Sequence, residues 1–465
     1  MAENFVCQIE SAVRRYPERT ALVWQDGSLT YGGLDRLAAG VARDLHSRGV
    51  APGDRIALLL PNHWSFAVAF LGCLKLGATV APVSLRLKAQ ERAAILASLR
   101  PRTILENVNA REDHWETVRE PGAPALIGYS SGTSGRPKGA LFSHAALSFA
   151  DRSWAGPVLG LTPEDTVLAA LPFPHSFGLN GTLLAPLLTG ATVSIIERFF
   201  PEAALEAIQR HRVTVFPGVA TMFRRVLASA AFDGTDLSSL RLAVSGAAPC
   251  PWELAQEWKE RTGTRILRGY GMTELFRPIS HLAGDPRDLP EAVGRPVPGV
   301  EVKIVDDLGQ AVAPGQIGEL LIKSPAVMEA YFDNPEDTKA VLAGGWFKTG
   351  DLAVLLDHDF VQIAGRKDER ILRGGYSVFP QEVEAVLLSH LAIAEAGVIG
   401  VPDPEMGEEV AAFVALREGA TTTVAEIDAH CRAHLAPYKH PRRITIMESL
   451  PRGATGKIIK SSLGK

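Results

Sequence analysis

The sequence predicts an α/β protein of several domains, and three observations support this fold class. At 465 residues the chain is too long for one compact core, so two to four domains or subdomains are expected. Its N-terminal part alternates short apolar strands with amphipathic helices, which is the rhythm of a largely parallel sheet. From about Val293 the sequence pattern predicts mainly β-strands, and after Asp368 it predicts an α+β segment the size of one small domain.

Turn signals and apolar spacing place the elements of the N-terminal part. Asp26-Gly27 is a hairpin turn, and Thr30 is placed to cap a helix that Gly49 ends. The apolar run 56–60 stops at Pro61, as in a strand buried on both faces. The strands predicted along this part are residues 21–24, 56–60, 78–83, 125–129, 140–142, 167–171, 192–196, 213–216 and 242–245.

Residues 64–85 are apolar enough to be weighed as a membrane span. Lys75 interrupts them, and Gly72, Gly77 and Pro82 break them, whereas a spanning helix needs about 20 uninterrupted apolar residues. We therefore expect a buried helix that is followed by a buried strand.

The composition excludes several classes of protein. An apolar fraction of 46% and a charged fraction of 22% are those of an ordinary soluble protein, and a net charge of −4 argues against nucleic acid as the main partner. Four scattered cysteines without metal-ligand spacing fit free thiols in a reducing compartment. The N-terminus lacks the basic region of a signal peptide. We expect a cytoplasmic protein without a membrane span.

Residues 130–139 (SSGTSGRPKG) have the composition of an oligophosphate-binding loop. The glycines let the backbone approach a ligand, the hydroxyls add hydrogen-bond donors, and Arg136 and Lys138 add positive charge. Apolar runs on both sides predict a strand–loop–strand cradle. The loop is not a Walker motif, because Pro137 stands where that motif requires glycine. The alternative is an ordinary flexible surface loop.

Two further loops lie where strand ends meet helix starts, which is where α/β sheets bind ligands. Residues 174–178 (PHSFG) follow one predicted strand, and residues 246–249 (GAAP) follow another. The small side chains of GAAP would let a flat ligand approach the backbone.

Five motifs stand in a fixed order along the chain. They are SSGTSGRPKG (130–139), YGMTE (270–274), GWFKTGD (345–351), GRKDERILRGGYSVFPQEVE (365–384) and PRGATGK (451–457). In this order they resemble the adenylate-forming family, which contains acyl-CoA synthetases, luciferase-type enzymes and the adenylation domains of peptide synthetases. The resemblance covers essentially the whole chain, from the strand near Ala21 to Lys457.

The resemblance implies a fold and a reaction. The implied fold has a large N-terminal domain (1–367) of two α/β sheet subdomains plus a distorted β-barrel, and a small mobile α+β C-terminal domain (368–465) with Asp368 as hinge. In the implied reaction a carboxylate attacks the α-phosphate of ATP and releases pyrophosphate, and a thiol then displaces AMP. The implied cofactors are ATP, Mg²⁺ and coenzyme A.

The resemblance also implies residue roles. The catalytic residues by motif match are Lys457, Thr273, Glu274 and His175, with Glu274 also the ligand of Mg²⁺. The residues that would bind ATP or CoA are Ser130, Ser131, Gly132, Thr133, Ser134, Gly135, Lys138, Gly246, Ala247, Ala248, Tyr270, Gly271, Met272, Asp351, Arg366, Gly374 and Gly375. In this assignment Tyr270 stacks on adenine, and Asp351 with Arg366 binds the ribose hydroxyls.

Physical chemistry agrees with the implied roles. Displacement at phosphorus crowds negative charge between two anions, so Lys457 and Mg²⁺ would stabilise the transition state more than the ground state. Because Lys457 lies on a near-terminal loop, domain movement could deliver or withdraw it. Gly374 and Gly375 would line a narrow pantetheine tunnel.

Each assignment has a structural alternative. Tyr270 and His175 could be ordinary core residues, and Asp351 could be a turn former in Thr-Gly-Asp. Arg366 could form only a surface ion pair, and Glu274 could be a carboxylate in the first turn of a helix.

Three further features of the sequence bear on the comparison with the family. Only about 30 residues separate Leu99 from Ser130, fewer than the family usually spends there, so one or two elements are expected to be missing or simplified. Arg277 and His281 follow YGMTE, and a solvated or structural role is expected for both, with contact to a polar substrate tail as the alternative. The chain ends eight residues after Lys457, from which we expect no carrier-protein domain.

A stand-alone acyl-CoA ligase is the leading interpretation. The residues predicted to line the acyl pocket are Phe216, Gly218, Val219, Met222 and Leu275. Their apolar character favours a fatty or aryl monocarboxylate over a dicarboxylate. The expected partners are a small-molecule carboxylic acid, ATP and CoA, and a homodimer is left open.

Two alternatives come from other classes. A stand-alone enzyme could load an acyl or aminoacyl group onto a separate carrier protein, but Phe173-Pro174-His175 lacks the aspartate that such amino-acid enzymes place there. A nucleotide-binding regulatory protein without catalysis is disfavoured because Lys138, Glu274 and Lys457 are all present.

Overall fold

The computed structural model describes residues 3–109, 111–130, 137–285, 288–452 and 458–464. Its helices are α1 Phe5–Arg15, α2 Tyr31–Ser47, α3 Trp64–Leu76, α4 Ala89–Leu99, α5 His144–Ser153, α6 Ala185–Thr189, α7 Pro201–His211, α8 Ala220–Leu227, α9 Trp252–Thr262, α10 Pro335–Val341, α11 Pro380–Leu388 and α12 Val424–His434. Two π-helical segments, Trp154–Val158 and Phe177–Leu184, flank the strand that leads to the PHSFG loop.

The strands follow the predicted order. They are β1 Thr20–Trp24, β2 Gly27–Thr30, β3 Arg55–Leu58, β4 Thr79–Pro82, β5 Thr103–Leu105, β6 Pro124–Ser130, β7 Lys138–Ser143, β8 Thr166–Ala169, β9 Thr192–Ile195, β10 Val215–Gly218, β11 Leu242–Ser245, β12 Ile266–Leu267, β13 Gly269–Met272, β14 Phe276–Ser280, β15 Arg295–Pro296, β16 Glu301–Val305, β17 Ile317–Lys323, β18 Ala330–Tyr331, β19 Leu342–Ala343, β20 Trp346–Leu355, β21 Val361–Arg366, β22 Ile371–Arg373, β23 Tyr376–Val378, β24 Ile393–Asp403, β25 Gly407–Leu416 and β26 Arg443–Met447.

Two compact units divide the chain. The first unit comprises Met1–Val302 and Ile322–Phe347, and the second comprises Lys303–Leu321 and Lys348–Lys465. The sequence puts the domain division at 367/368 instead, and that boundary stays a prediction about movement.

The first unit contains two sheets with mainly parallel strands. One has the order β12-β11-β10-β8-β9-β1-β2 and is parallel except at β2, which closes the predicted hairpin with β1. The other has the order β18-β7-β6-β4-β3-β5, in which β7 and β18 run antiparallel to their neighbours. The α/β class predicted from the alternation of strands and helices is confirmed.

Helices α2 and α3 pack closely because small residues meet at their contact. The α2 helix begins where predicted, with the Thr30 hydroxyl accepting a hydrogen bond from the Gly33 N–H at 3.1 Å. A Cβ added at Gly72 of α3 would lie 2.6 Å from the Ala38 carbonyl of α2, so only glycine fits there. The α3 helix is buried on all sides, as expected for residues 64–76. None of the helices in the described chain is both long and apolar enough to cross a membrane.

The short segment after α4 contains a single three-residue strand. After β5 the described residues up to 123 form neither helix nor strand, which agrees with the prediction of simplified structure. Residues 111–119, which we call the strap, pack on α2 and α3 instead. Gly40 of α2 has no room for a Cβ, because the Arg111 carbonyl lies against it. The strap is held further by an ion pair between Arg36 and Glu112 at 2.7 Å.

The chain becomes β-rich where the sequence predicts it. In the region where the resemblance implies a distorted β-barrel, β13-β14-β15 form an antiparallel sheet and β16-β17-β20-β19 form another, with β21 paired to β20. The end of the chain forms a sheet of order β23-β22-β25-β24 with β26 beside β25. Helices α11 and α12 bury Val383, Leu387 and Ile427 in the core of this α+β part.

Candidate active site

The predicted strand–loop–strand cradle is present as the β6–β7 hairpin. Ser130 pairs with Lys138, and Tyr129 pairs with Gly139, in an antiparallel ladder. Two strand ends therefore bring Ser130 and Lys138 to the same end of the sheet. The predicted phosphate-binding residues Ser131, Gly132, Thr133, Ser134 and Gly135 lie outside the described residues, and their roles stay predictions.

Glu274 lies beside this hairpin in a buried position. Its Oε1 accepts a hydrogen bond from the Tyr331 hydroxyl at 3.0 Å, and the Ser130 hydroxyl lies 3.5 Å away. No ion pair to Glu274 occurs among the described residues. The carboxylate charge is held by hydroxyl groups and is not neutralised by a lysine or arginine of the described chain.

Lys138 is positioned by two partners on the other side of Tyr331. Its Nζ lies 2.7 Å from Oδ2 of Asp337 and 5.2 Å from the centre of the Tyr331 ring. The hydrogen bond from Lys138, with a second from Asn334, holds the pKa of Asp337 below its usual range. Since α10 begins at Pro335 after an Asn334 cap, the start of this helix fixes Asp337 next to the hairpin.

A cleft opens along β6. Its walls are formed by Pro82, Leu126, Gly128, Tyr129, Phe142, Pro174, His175, Ser176, Leu179, Thr273 and Phe276. A Cβ at Gly128 would lie 3.1 Å from the methyl group of Thr273, so the glycine lets this side chain approach the strand. The cleft therefore brings together two predicted catalytic residues, Thr273 and His175.

His175 lines the cleft and is accessible to solvent from its open side. The protein atoms around the concave wall partly desolvate the imidazole, and with the charge of Arg86 they lower the pKa of His175. The ring is therefore neutral at pH 7. The exposure rules out the alternative of a fully buried core histidine.

The residues predicted to surround adenine lie on two neighbouring strand ends. Gly246 is buried directly after β11, and Ala247 and Ala248 are exposed. Ala247 has φ of 63°, a left-handed conformation that is strained for a residue with a side chain and is common at ligand sites. Tyr270 is half-buried on β13, opposite Ile279 of β14.

Gly271 and Met272 complete β13. A Cβ at Gly271 would overlap the Phe276 carbonyl, so glycine is required where the two strands approach. Met272 pairs with Phe276 across a register shift in the same ladder. The stacking of Tyr270 on adenine stays a prediction.

The five residues of the predicted acyl pocket are mostly core residues of the first unit. Phe216 and Met222 belong to a buried apolar cluster, where Phe216 contacts the rings of Phe223 and Trp258. Leu275 is also buried, and Gly218 ends β10 with Phe223 against it. Val219 is partly buried at the edge of the cluster. Their contact with an acyl group stays a prediction.

In the second unit, Asp351 and Arg366 face each other across the β20–β21 ladder. Nη1 of Arg366 lies 3.1 Å from Oδ1 of the buried Asp351 carboxylate. The Thr349 hydroxyl accepts a hydrogen bond from the Asp351 N–H at 3.0 Å. Burial lowers the pKa of Arg366, but the charges of Asp351 and Asp368 outweigh it and raise that pKa overall. The sequence-predicted pair is thus brought together, whereas its contact with ribose stays a prediction.

Asp368, the predicted hinge, is exposed and lies in a single 3-10 turn, Lys367–Glu369. Its Oδ1 accepts a hydrogen bond from Nε of Arg366 at 3.2 Å. The neighbouring Lys367 is anchored more firmly, by Glu319 at 2.8 Å and Asp307 at 3.1 Å. The hinge role stays a prediction.

Gly374 and Gly375 form a two-residue hairpin turn between β22 and β23. Their φ angles of 55° and 84° are the left-handed pair that such turns require. A Cβ at Gly374 would lie 2.5 Å from the end of the Met406 side chain, whereas the space around Gly375 is open. The neighbouring Tyr376 stacks on Tyr438 with ring centres 4.8 Å apart.

Lys457 lies outside the described residues, and its catalytic role stays a prediction. The chain on either side is fixed, since Arg452 and Ile458 pair as a β-bridge. Lys460 anchors the following turn through Glu369 at 2.6 Å and Glu384 at 2.9 Å.

A solvated or structural role is expected for Arg277 and His281, and the burial of both side chains excludes the solvated role and leaves the structural one. His281 Nε2 lies 3.2 Å from the Ala292 carbonyl, and Nδ1 lies 3.5 Å from Asp288. Burial lowers the pKa of His281 despite the charge of Asp288.

Sequence reasoning missed Tyr331 and Asp337. Both belong to the segment YFDNPEDT (331–338), in which Asn334-Pro335 is a readable helix start. That signal predicts α10, but nothing in it shows that β18 pairs with β7 and so places Tyr331 between Glu274 and Lys138.

Two family models match the chain. The model for AMP-binding enzymes matches residues 9–123 and 106–332, and the model for the AMP-binding enzyme C-terminal domain matches residues 382–457. Together they cover well over half of the sequence.

Curated relatives resemble the chain over its whole length. A 3-[(3aS,4S,7aS)-7a-methyl-1,5-dioxo-octahydro-1H-inden-4-yl]propanoyl:CoA ligase of Mycobacterium tuberculosis is 35% identical, over 98% of this chain and 97% of the relative. A feruloyl-CoA synthase of an Amycolatopsis species is 33% identical, over 97% of this chain and 96% of the relative.

Solved structures have the same fold. The anthranilate CoA ligase in complex with anthranoyl-AMP matches with a TM-score of 0.88 at 31% identity, over 98% of this chain and 95% of that structure. The o-succinylbenzoate coenzyme A synthetase of Bacillus subtilis with ATP and magnesium ion matches with a TM-score of 0.89 at 30% identity, over 100% of this chain and 99% of that structure.

Proposed function

This chain belongs to the AMP-binding enzyme family, and from that premise we propose that it is an ATP-dependent acyl-CoA ligase for a fatty or aryl monocarboxylic acid. It activates the acid as an acyl-adenylate with release of pyrophosphate and then transfers the acyl group to CoA with release of AMP. The observation that carries this proposal is the position of Glu274, buried beside the hairpin that bears Ser130 and Lys138 and without a cationic partner among the described residues.

The donor set around Glu274 fits Mg²⁺. Magnesium is bound by one or two carboxylates together with substrate phosphates and waters, and it needs no dedicated protein cage. The described residues contain no cluster of three or more metal-ligating side chains, which agrees with a single carboxylate ligand. Bound there, Mg²⁺ would neutralise phosphate charge as the phosphorus–oxygen bond breaks.

In the first half-reaction an oxygen of the substrate carboxylate attacks the α-phosphorus of ATP. The bond to the bridging oxygen breaks, and pyrophosphate leaves. Lys138 and the loop before it would hold the β- and γ-phosphates, Thr273 would donate to the α-phosphate, and Lys457 would sit between the two anions. His175, neutral at pH 7, would close the acyl end of the cleft without adding charge.

In the second half-reaction the sulfur of CoA attacks the acyl carbonyl and AMP leaves. Gly374 and Gly375 would border the path of pantetheine, and Asp351 with Arg366 would hold the ribose. We propose that the C-terminal part turns about Asp368 between the two steps, since one fixed pose cannot present both Lys457 and the glycine turn to the same site.

A pyrophosphate-release assay over straight-chain, aryl and dicarboxylic acids, with and without CoA, tests this proposal. We expect CoA-dependent formation of AMP and an acyl-CoA with a monocarboxylate. Adenylation that CoA does not carry to completion, but an acyl carrier protein does, would replace the ligase with a carrier-loading enzyme. Absence of pyrophosphate release with every acid would reject an adenylating function.

We further propose that the enzyme acts in the cytoplasm, which its four free cysteines support. Sedimentation of the purified chain distinguishes a monomer from the homodimer that the sequence leaves open.

A further inference from the structure

Lys138 and Asp337 form an ion pair next to the residues proposed to bind Mg²⁺ and phosphate. Nζ of Lys138 lies 2.7 Å from Oδ2 of Asp337, a charge-assisted hydrogen bond of ordinary length. The two side chains are 23% and 40% exposed, respectively. Solvent therefore reaches this pair, unlike the pair of Lys75 with Glu10, whose side chains are only 4% and 12% exposed.

Partial exposure makes the ion pair of Lys138 and Asp337 easy to exchange. An ion pair that water reaches contributes little free energy, because solvent screens the attraction and both side chains lose freedom when they form it. A phosphate group carries more negative charge than one carboxylate and offers several acceptor oxygens. A bound nucleotide can therefore take the Lys138 ammonium from Asp337.

The carboxylate of Asp337 is held in place independently of Lys138. Nδ2 of Asn334 donates to Oδ2 of Asp337 at 2.8 Å, and the Asp337 N–H donates to Oδ1 of Asn334 at 3.1 Å. Asn334 is itself the N-cap of α10. Hydrogen bonds from Lys138 and Asn334 lower the pKa of Asp337, so its carboxyl is ionised at pH 7. The anion therefore stays in position when the ammonium moves away.

On its other side the ammonium faces the aromatic ring of Tyr331. Nζ of Lys138 lies 5.2 Å from the centre of this ring, within the range of cation–π attraction. The hydroxyl of the same ring donates to Oε1 of Glu274. One aromatic ring thus separates the ammonium from the carboxylate proposed to bind Mg²⁺, which is where the phosphates of ATP would lie.

An open groove beside the ion pair gives a ligand access to the ammonium. Its volume is about 290 Å³, and Lys138, Tyr331 and Asn334 line it. A second ion pair, between Arg100 and Asp333 at 2.7 Å, borders the same groove and is exposed. Asp333 therefore provides a matched comparison, since it is an exposed aspartate of the same segment and its ion pair is with Arg100.

We propose that Asp337 is a positioning residue that competes with the β- and γ-phosphates for Lys138. In the free enzyme it holds the ammonium at the hairpin. ATP displaces it, and after the bond to the α-phosphorus has broken it takes the ammonium back from pyrophosphate. The competition weakens the binding of ATP and of pyrophosphate alike, and it speeds the release of pyrophosphate. This inference rests on the proposed ligase function and adds a residue for product release to it.

Binding measurements on the Asp337→Asn variant test the inference. Asparagine keeps the size of the side chain and removes its charge. We expect the dissociation constants of magnesium-ATP and of magnesium pyrophosphate to fall by the same factor, about two- to fivefold, as a partly exposed ion pair predicts. The dissociation constant of AMP, which lacks both phosphates, should not change. Isothermal titration calorimetry without an acid substrate measures all three, because no turnover occurs.

The inference also predicts a kinetic effect on the product side. Added pyrophosphate should inhibit adenylation more strongly in Asp337→Asn than in the wild type, by the same factor as the change in its dissociation constant. Initial rates at a series of pyrophosphate concentrations measure this inhibition.

Two further variants show whether the effect passes through Lys138. In the Lys138→Met background, Asp337→Asn should no longer tighten the binding of magnesium-ATP, because the ammonium for which both anions compete is gone. Asp333→Asn is the matched control, since it removes an exposed aspartate that pairs with Arg100. It should leave all three dissociation constants at their wild-type values.

Unchanged or weaker binding of ATP and pyrophosphate in Asp337→Asn would overturn the inference. So would an equal tightening of AMP binding, a tightening that persists in Lys138→Met, or the same tightening in Asp333→Asn. In each of these cases the wild type still binds ATP, and the ligase function stands. A wild type that binds no ATP and releases no pyrophosphate with any acid is instead the failure of the proposed function.

Discussion

Lys75 and Arg277 are both buried cations of the first unit, and their surroundings are opposite. Lys75 Nζ lies 2.8 Å from Glu10 and 2.9 Å from Asp35, beside the Thr117 hydroxyl of the strap. Arg277 has only a hydroxyl, two carbonyls and an aromatic ring around it. Burial destabilises both charges, but among the described residues only Lys75 has carboxylates beside it that offset this destabilisation. The comparison separates a buried charge that has ion-pair partners from one whose described partners are all neutral.

The pKa of Glu10 agrees with a structural role for its ion pair with Lys75. Burial raises the pKa of Glu10, but hydrogen bonds from Lys75 and Thr117 outweigh it, so that the pKa lies below its ordinary value. The Glu10 carboxyl is therefore ionised at pH 7 and pairs with Lys75. Because the cluster of Lys75, Glu10, Asp35 and Thr117 joins α1, α2, α3 and the strap, it fixes the segment that is short in this chain.

The largest expected effect is the loss of stability in Lys75→Ala. Removing the cation takes away the ion-pair partner that Glu10 and Asp35 share and leaves Glu10 with the more distant Arg119 at 3.5 Å, and breaking a buried pair in this way costs about 3–5 kcal/mol. Urea denaturation followed by circular dichroism measures the change. At a temperature where the variant is folded, the ratio of kcat/KM among acids should equal that of the wild type.

The double variant Glu10→Gln with Lys75→Ala is the control for charge pairing. It removes the cation and one anion together, so it should recover much of the stability lost in Lys75→Ala. If the losses of the two single changes simply add in the double variant, charge pairing is not what stabilises the cluster.

The variant Glu274→Gln extends the comparison of buried charges from cations to a buried carboxylate. Glu274, like Arg277, has no ion pair within the described chain, so its charge should serve a ligand and not the fold. We expect a loss of about 10²–10³ in adenylation rate, the usual effect of removing one group that stabilises transition-state charge. The melting temperature should change little.

Tyr331→Phe is the matched smaller change, because it removes only the hydroxyl that donates to Glu274. Its loss of rate should be well below that of Glu274→Gln, and magnesium titration should show a weaker apparent affinity in both. A large drop in stability with unchanged magnesium dependence would make Glu274 a structural residue.

Asp151 shows a third way to bury a charged group. Its carboxyl is fully buried on α5, and neither oxygen has a hydrogen-bond partner among the described residues, so burial raises its pKa well above the ordinary value. The folded protein keeps this proton while the unfolded chain releases it. The stabilising contribution is therefore complete below the unfolded pKa of about 3.9 and is lost as pH rises toward the folded pKa.

Replacing Asp151 by leucine should stabilise the protein at pH 7 by about 1–3 kcal/mol, the usual cost of an unsatisfied buried polar group. The gain should shrink as pH falls toward 4. Asp151→Asn, which keeps polarity but cannot titrate, should show a pH-independent stability difference from the leucine variant. Equal pH dependence in the wild type and Asp151→Leu would exclude this titration.

The motifs predicted contacts between residues that are close in sequence, because a short connection limits how two neighbouring strands can be arranged. Ser130 and Lys138 flank one loop, and the ladder that joins them follows from apolar runs on both sides. Asp351 and Arg366, which the resemblance assigns together to the ribose, lie on neighbouring strands of one β-rich segment and form an ion pair. The alternation of strands and helices was sufficient to predict the α/β class.

Contacts between distant segments could not be predicted in this way. The pairing of β18 with β7 brings Tyr331 to Glu274 across 57 residues of sequence, and no local signal marks it. The burial of Arg277 depends on the two glycines that leave room for it, one of them 31 residues earlier in the chain at Gly246. A single sequence gives the identity of such residues but not which of them share a space.

The smallest expected effect is on the stability of Arg277→Met, and it tests the comparison most directly. The substitution removes three hydrogen bonds, each worth about 0.5–1.5 kcal/mol net. It also removes a buried cation without a counter-charge, and it keeps an apolar side chain against Trp154. Because these terms oppose each other, we expect the free energy of unfolding to change by no more than about 1 kcal/mol, whereas Arg268→Met should lose more by leaving Asp288 unpaired. Urea denaturation of the two variants side by side measures the difference. If Arg277→Met loses as much stability as Arg268→Met, the neutral partners already satisfy the guanidinium and Arg277 belongs with Lys75 as a residue that holds the fold.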